Sequence, residues 1–513
     1  MPQIGEGRAK VKFKQDDPND DRKKINIRVG VFFDGTLNNS TNISQRLLSA
    51  QDDDLTPEER EVAANLKRNA SDQDIEAAKT TYAEYGEPGA DNSYEGYYTN
   101  VVKLDRYVNT KKGKTKGYEI TLKTYIEGSG TLDKEDDIQN GFAFAMGKSG
   151  VPAKVAKGIE NVVQLINDAQ KNKKEVIELL TLDVFGFSRG AAGARKFIND
   201  ALFGRRFVLA GGSLGGPDPS TSIRAQLARA GYTISSPGAK TGVKICFAGL
   251  FDTVSTYGVG VLIDEDDNVD ALSLNAVFHA EETLHLTAAD EHRYHFSLTD
   301  IKSAGGRGKQ VFLPGVHSDI GGGYRDMAKE DQPILGSIGL KNAFLLQSCD
   351  IGPKEAEADE KTLIAAGWYR KDEVTLENHD YYFTSPGMEK SHVPPQLVER
   401  RVEKVERSGI RNTYSTIPLQ IMAKAARSKG LVIESKFDRD EAVPDELSNV
   451  HEEIQRYVNK HGPDSSKPAD WHDNDREWLR KLRHQYFHFS ARMMPGHDPR
   501  IIDGKRIRKV YRG

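Results

Sequence analysis

Gly186-Phe187-Ser188-Arg189-Gly190 has the residue types and spacing to make a nucleophile. Small residues on both sides of a serine let a strand turn sharply into a helix, leaving the hydroxyl clear of the backbone. Gly211-Gly212-Ser213-Leu214-Gly215 fits the same five-residue pattern, so the pattern alone does not decide. Ser188 follows the apolar run Ile177 to Phe187 and precedes an alanine-rich helical pattern to Leu202. Ser213 follows only a short apolar stretch and precedes Pro217 and Pro219, which block helix propagation. Ser188 is therefore the candidate nucleophile, with simple helix capping as its structural alternative, and Ser213 reads as a loop residue.

A serine hydroxyl is a weak nucleophile until a histidine takes its proton and a carboxylate orients that histidine. On an open α/β sheet the order along the chain is serine, acid, histidine. Asp252 ends the apolar run Val243 to Phe251, and His317 ends Gln310 to Val316, so each is expected just beyond the carboxyl end of a strand. Asp319 is the second candidate acid, but its closeness to His317 in sequence favours a loop-fixing role. The oxyanion of an acyl-transfer intermediate needs two converging N–H donors. The Arg189 N–H is one candidate; the other is Gly35 in Asp34-Gly35-Thr36, with Gly128-Ser129-Gly130 as the alternative.

Other patterns carry less. Gly113-Lys114-Thr115 and Gly147-Lys148-Ser149 lack the first glycine of a phosphate loop, so nucleotide hydrolysis is not expected. His285, His292 and His295 with Asp290 and Glu291 match no common zinc spacing and read as a polar helix face. No metal and no cofactor is expected.

The elements that must position these residues are legible as alternating signals. Ile27 to Phe33, Tyr118 to Thr131, Ile177 to Phe187, Val243 to Phe251 and Gln310 to Val316 read as strands; Val151 to Ala169 and the stretch after Ser188 read as helices. The expected fold class is α/β: a mainly parallel sheet with helices on both faces. Thr56-Pro57-Glu58-Glu59 marks a helix start inside a surface insertion near 41–100, and a second insertion falls near 203–240. From about residue 350 the strand signals thin, and VERRVEKVERS and HEEIQRYVNKHG read as helix-like segments of a mostly helical cap or membrane-anchoring module.

The chain has 513 residues, 72 Lys+Arg against 76 Asp+Glu and a net charge of −4, so whole-chain electrostatic capture of nucleic acid is not expected. Residues 476–513 carry a net charge of +8 among aromatics, which suits an anionic lipid surface or an ordinary solvated face. Hydrophobic residues at 37% and charged residues at 29% suit a chain that buries a core. The two cysteines, Cys246 and Cys349, make no disulfide framework, and the polar segment 1–26 has no signal-peptide apolar core.

Taken in order, VFFDGTLNN, YIEGSGT, GFSRGAA, FAGLFDTV, ADEHR and PGVHSDIGGGY resemble the α/β-hydrolase domain of type VI secretion phospholipase effectors, the first class of Tle-type lipase effectors. The likeness spans roughly 27–345, and RHQYFHFSARMMPGHDPR is similar to the family's tail. It implies a catalytic domain at 27–345 and a region 346–513 that caps it or meets the membrane. It further implies Ser188 as nucleophile, Asp252 as acid and His317 as base in hydrolysis of membrane glycerophospholipid esters, without a cofactor. Cytoplasmic synthesis, delivery by a type VI spike protein, action at the target-cell periplasm and membrane, and a cognate immunity protein are also implied. Two other readings stay open: a serine esterase or thioesterase on a soluble substrate, and an inactive hydrolase-shaped interaction module.

Overall fold

Runs such as Ile27 to Phe33 have no polar face to offer water, so they must be covered on both sides. The computed structural model describes residues 21–513 except 89–91, 112, 114, 139–146, 209–213, 239–240, 257–268, 337–352, 384–395, 463–465, 473–475, 493–496 and 504. Ser213 and Cys349 therefore lie outside the described residues.

In chain order, β1 (Lys24–Phe33) is followed by α1 (Ser40–Ser49), α2 (Pro57–Asn69), α3 (Asp72–Tyr85) and α4 (Asn100–Tyr107). Next come β2 (Ile120–Ile126), α5 (Val151–Ala169), β3 (Val176–Phe187), α6 (Arg189–Phe203) and β4 (Thr233–Ile234). Then follow β5 (Gly242–Phe251), β6 (Ala280–Ala288), β7 (Leu298–Thr299) and β8 (Gly308–Leu313). The main sheet runs β8-β6-β5-β3-β1-β2, with β4 pairing β3, and every pairing is parallel. After β2 the chain crosses back to the other side of β1 to form β3, so strand order reverses there, where open α/β sheets leave a crevice at their carboxyl ends.

Both faces are covered. On one, Ile27, Val29 and Val31 of β1 pack with Val155, Ile159 and Val162 of α5 and Ala191, Ala194 and Phe197 of α6. On the other, Phe32 and Phe185 meet Val101 and Leu104 of α4 and the later helix α7 (Thr416–Ser428) through Ile417, Ile421 and Met422. In the insertion, Thr56 caps α2 in a reciprocal box with Glu59 and Pro57 opens the helix, the start its sequence predicts.

Two expectations are corrected. VERRVEKVERS is not helical: it lies in a long strand of an antiparallel sheet. That sheet comprises β9 (Ala328–Gly336), β10 (Val374–Phe383) and β11 (Gln396–Ile410), with β11 in the middle. The alternation that marks a strand is present, with Val405 and Arg407 buried and Glu406 and Ser408 exposed. It is disguised because an arginine occupies a buried position, where Glu330 receives its Nε at 2.8 Å. His285 likewise sits on no helix face. It is fully buried in β6, accepting the Thr253 N–H at 3.0 Å and paired with Gln310 Oε1 at 2.9 Å. Thr283, His285 and Thr287 fill buried positions with polar groups, so β6 shows no apolar run.

HEEIQRYVNKHG does form a helix, α8 (Ser448–Lys460), followed by α9 (Glu477–Gln485). A final strand, β12 (Val510–Tyr511), pairs parallel with β7. Among the described residues, no helix is long and apolar enough to cross a membrane.

Arg28 of β1 and Asp183 of β3 form a bidentate pair inside the sheet at 2.6 and 2.9 Å. Asp183→Ala leaves the Arg28 cation buried and unpaired; a loss of about 3–5 kcal/mol is expected in urea unfolding.

Candidate active site

β3 ends at Phe187 and α6 begins at Arg189, so the reversal falls on one residue, Ser188. Its φ of 58° and ψ of −129° lie outside the ordinary regions for a residue with a Cβ, a strain that marks functional turns. The Ser188 side chain does not cap α6; its backbone carbonyl accepts the Ala191 and Ala192 N–H groups instead. The two glycines of the motif have a steric reason. A Cβ on Gly186 would lie 2.5 Å from the Gly190 carbonyl oxygen, and one on Gly190 would collide with the Asp34 carbonyl.

Asp252 follows β5, the neighbour of β3. Phe187 and Phe251 are register partners, so Ser188 and Asp252 leave adjacent strand ends side by side, and the Ser188 N–H donates to the Phe251 carbonyl at 3.0 Å. His317 opens the short helix His317–Gly321 that follows β8, two strands farther along. Its Nδ1 meets Asp252 Oδ2 at 2.5 Å, and its ring packs on Phe187, with centroids 4.6 Å apart, and on Phe296 at 5.0 Å. Asp252 and His317 are thus in contact, and the imidazole lies against the residue that precedes Ser188. With Nδ1 held by a carboxylate, the ring proton sits on Nδ1 and Nε2 is left as the free base.

The loop carrying His317 is held by acids that follow β6. Asp290 accepts the Gly315 N–H at 2.7 Å and Glu291 accepts the His317 N–H at 3.3 Å. Asp319 does not compete for the imidazole. It accepts the Val316 N–H at 2.9 Å and pairs with His488 Nδ1 at 2.9 Å.

Asp252 is fully buried, which alone would raise its pKa. The Arg508 guanidinium and the His317 ring outweigh burial and hold it well below the usual carboxylate range. Burial lowers the His317 pKa from its ordinary value, and the hydrogen bond and charge of Asp252 oppose this only in part. Desolvation brings the Arg189 guanidinium down to about 10; its Nε donates to Thr36 Oγ1 at 2.6 Å.

The Gly35 N–H, one sequence candidate for an oxyanion donor, is engaged by the adjacent Asp34 carboxylate at 2.8 Å. In the alternative turn, Gly128 and Gly130 donate to the carbonyls of Asn38 and Ser149. Among the described residues, the Thr36 N–H in the same turn as Gly35 has no acceptor, and neither has the Ser129 N–H in the alternative turn. Among the described residues, no His, Cys, Asp and Glu cluster has the geometry to hold a metal ion.

Sequence reasoning did not single out Arg508, whose guanidinium grips Asp252 at 2.7 and 2.9 Å, or Glu291 as the acid behind His317. Arg508 was visible only as one basic residue among many. Glu291 was visible in ADEHR, without a role.

A parallel sheet with a serine on a strained strand-to-helix turn, an aspartate at the adjacent strand end and a histidine after a strand farther along is an α/β-hydrolase-like fold. Residues 221–342 match the family described as "T6SS, Phospholipase effector Tle1-like, catalytic domain". No curated protein sequence matches the chain. A solved structure described as "Structure of the Tle1 effector bound to the VgrG spike from the Type 6 secretion system" aligns with a TM-score of 0.57 at 20% identity. It covers 96% of this chain and 94% of that one. A second, "Crystal structure of an uncharacterized protein from Pseudomonas aeruginosa", aligns with a TM-score of 0.36 at 17% identity over 86% of this chain and 52% of that one. The first likeness establishes a shared fold. The family match is confined to 221–342, within the part of the chain that carries Asp252 and His317.

Gly190→Ala places a methyl group against the Asp34 and Phe33 carbonyls. The expected result is a loss of stability of about 1–3 kcal/mol, read by thermal unfolding, with reduced labelling of Ser188 by a fluorophosphonate in the folded fraction.

Proposed function

We propose that this chain is an antibacterial type VI secretion effector that hydrolyses ester bonds of membrane glycerophospholipids, as a phospholipase A acting through Ser188, His317 and Asp252. The observation that carries the reading is the His317 Nδ1 to Asp252 Oδ2 contact of 2.5 Å beside the strained Ser188 turn. Delivery on a type VI spike, action at the periplasmic membrane of a target cell and neutralisation by a cognate immunity protein belong to the same proposal. A Tle1 effector of the same fold is bound to the VgrG spike.

The proposed reading gives each group one task. Ser188 Oγ attacks the acyl carbonyl carbon while its proton passes to His317 Nε2, and Asp252 stabilises the imidazolium that forms. The resulting oxyanion takes the Arg189 N–H at the start of α6 and, in place of the engaged Gly35 N–H, that of Thr36. Collapse breaks the ester C–O bond, His317 protonates the departing lysophospholipid oxygen, and an acyl group remains on Ser188. Water then repeats the sequence, releasing the fatty acid and restoring the serine.

Ser188→Ala is expected to lower kcat/KM on phospholipid vesicles by about 10⁴-fold or more, with the circular dichroism spectrum unchanged. A folded Ser188→Ala protein that still releases fatty acid at the wild-type rate removes Ser188 from the mechanism. Because burial lowers the His317 pKa and the neutral ring is the active form, the acid limb of kcat/KM against pH is expected to have its midpoint below about 6.5. A midpoint above that value would mean that the Asp252 charge, not desolvation, dominates the ring.

A further inference from the structure

Resting on that reading, we propose that Arg508 is a positioning residue of the hydrolytic site, brought in by the distant segment that ends in β12 to fix the plane of the Asp252 carboxylate. Asp252 Oδ1 accepts the Ala288 N–H at 2.9 Å and Arg508 Nη1 at 2.7 Å. Its Oδ2 meets His317 Nδ1 at 2.5 Å and accepts Arg508 Nη2 at 2.9 Å. Both oxygens thus carry two partners, and the arginine fork spans the pair. A planar guanidinium matched to a carboxylate sets orientation as well as charge, which a single ammonium does not.

The third nitrogen extends the grip. Arg508 Nε donates to the Phe296 carbonyl at 2.8 Å, and the Phe296 ring packs edge-on against His317. One side chain therefore holds the acid and also the segment whose aromatic ring flanks the base. The contact is built rather than casual: the Arg508 side chain is 5% exposed and that of Asp252 is 0% exposed. The backbone around Arg508 is also tied down, with Leu298 and Asp300 donating to the Lys509 and Tyr511 carbonyls at 2.9 Å each.

Besides geometry, the cation acts on the proton equilibrium. The charged groups facing His317 are the carboxylates of Asp252 and Glu291 and the guanidinium of Arg293, and Arg508 reaches the ring through Asp252. Arg508 neutralises part of the Asp252 charge that would otherwise favour the imidazolium, and it keeps the buried carboxylate ionised. Removing it has two consequences with one sign. His317 takes its proton at higher pH, and Asp252 itself becomes easier to protonate, so the acid limb of activity moves upward by either route.

The test compares wild type with Arg508→Gln, Arg508→Lys and Arg506→Gln on phospholipid vesicles. Arg506 lies in the same segment but pairs with Asp359, at 3.0 and 2.7 Å, and does not touch Asp252. Arg508→Gln is expected to lower kcat about 10–100-fold and to raise the acid-limb midpoint by about one pH unit or more. Arg508→Lys is expected to keep the midpoint near that of wild type, because the charge remains, while kcat falls through loss of the fork. Arg506→Gln is expected to leave the midpoint unchanged. A folded Arg508→Gln enzyme whose pH profile superimposes on wild type overturns the proposal and leaves Arg508 a structural brace. If Arg508→Gln does not fold, Arg508→Lys decides: a lowered kcat at an unmoved midpoint supports the proposal, and an unaltered kcat overturns it. Ser188→Ala separates the two readings, since retained activity there rejects the serine mechanism whatever Arg508 does.

Discussion

An ionised carboxylate with no access to water is tolerable only if every lone pair it exposes is met by a donor, and Asp252 is such a group. Its donors come from three separate parts of the chain: a backbone N–H at Ala288, the ring of His317 and the guanidinium of Arg508. Each can reach it only if its own element is correctly seated. β6 must lie beside β5, the β8 loop must fold back over the strand ends, and β12 must add to β7. The carboxylate thus acts as a fixed point around which the carboxyl edge of the sheet is arranged.

A second layer holds that arrangement in place. Glu291 accepts the His317 N–H and the Ser490 hydroxyl; Asp319 grips both the Val316 N–H and His488; Glu330 receives the Phe489 N–H. Three consecutive residues, His488, Phe489 and Ser490, therefore tie together two acids beside the carboxyl edge of the main sheet and one in β9. The region after residue 345 contributes to the site through these bonds.

What could be read in advance follows from how each residue is buried. Ser188, Asp252 and His317 could be singled out because each follows a largely apolar run, and such runs become strands covered on both faces. β1, β3 and β5 announced themselves in the same way and α5 by the helical spacing of its apolar residues, with boundaries within a few residues. β6 and β11 did not, because Thr283, His285 and Arg407 occupy buried positions and are satisfied by partners far away in sequence. Hydrogen-bond pairing of that kind leaves no trace in a hydrophobicity pattern. The same holds for Arg508: one arginine in a basic stretch is indistinguishable from its neighbours until the fold selects it. The Gly35 N–H looked available because a tight turn usually frees its amide, whereas here the preceding aspartate turns back to take it.

The contact between Asp252 and Arg508 closes a span of 256 residues. Contacts of such separation form late, because a long stretch of backbone must be ordered before they reward it. A nascent or half-refolded molecule, even one whose central strands are already paired, has an acid without its clamp. On the proposed mechanism, the acid is clamped only once the native topology is complete.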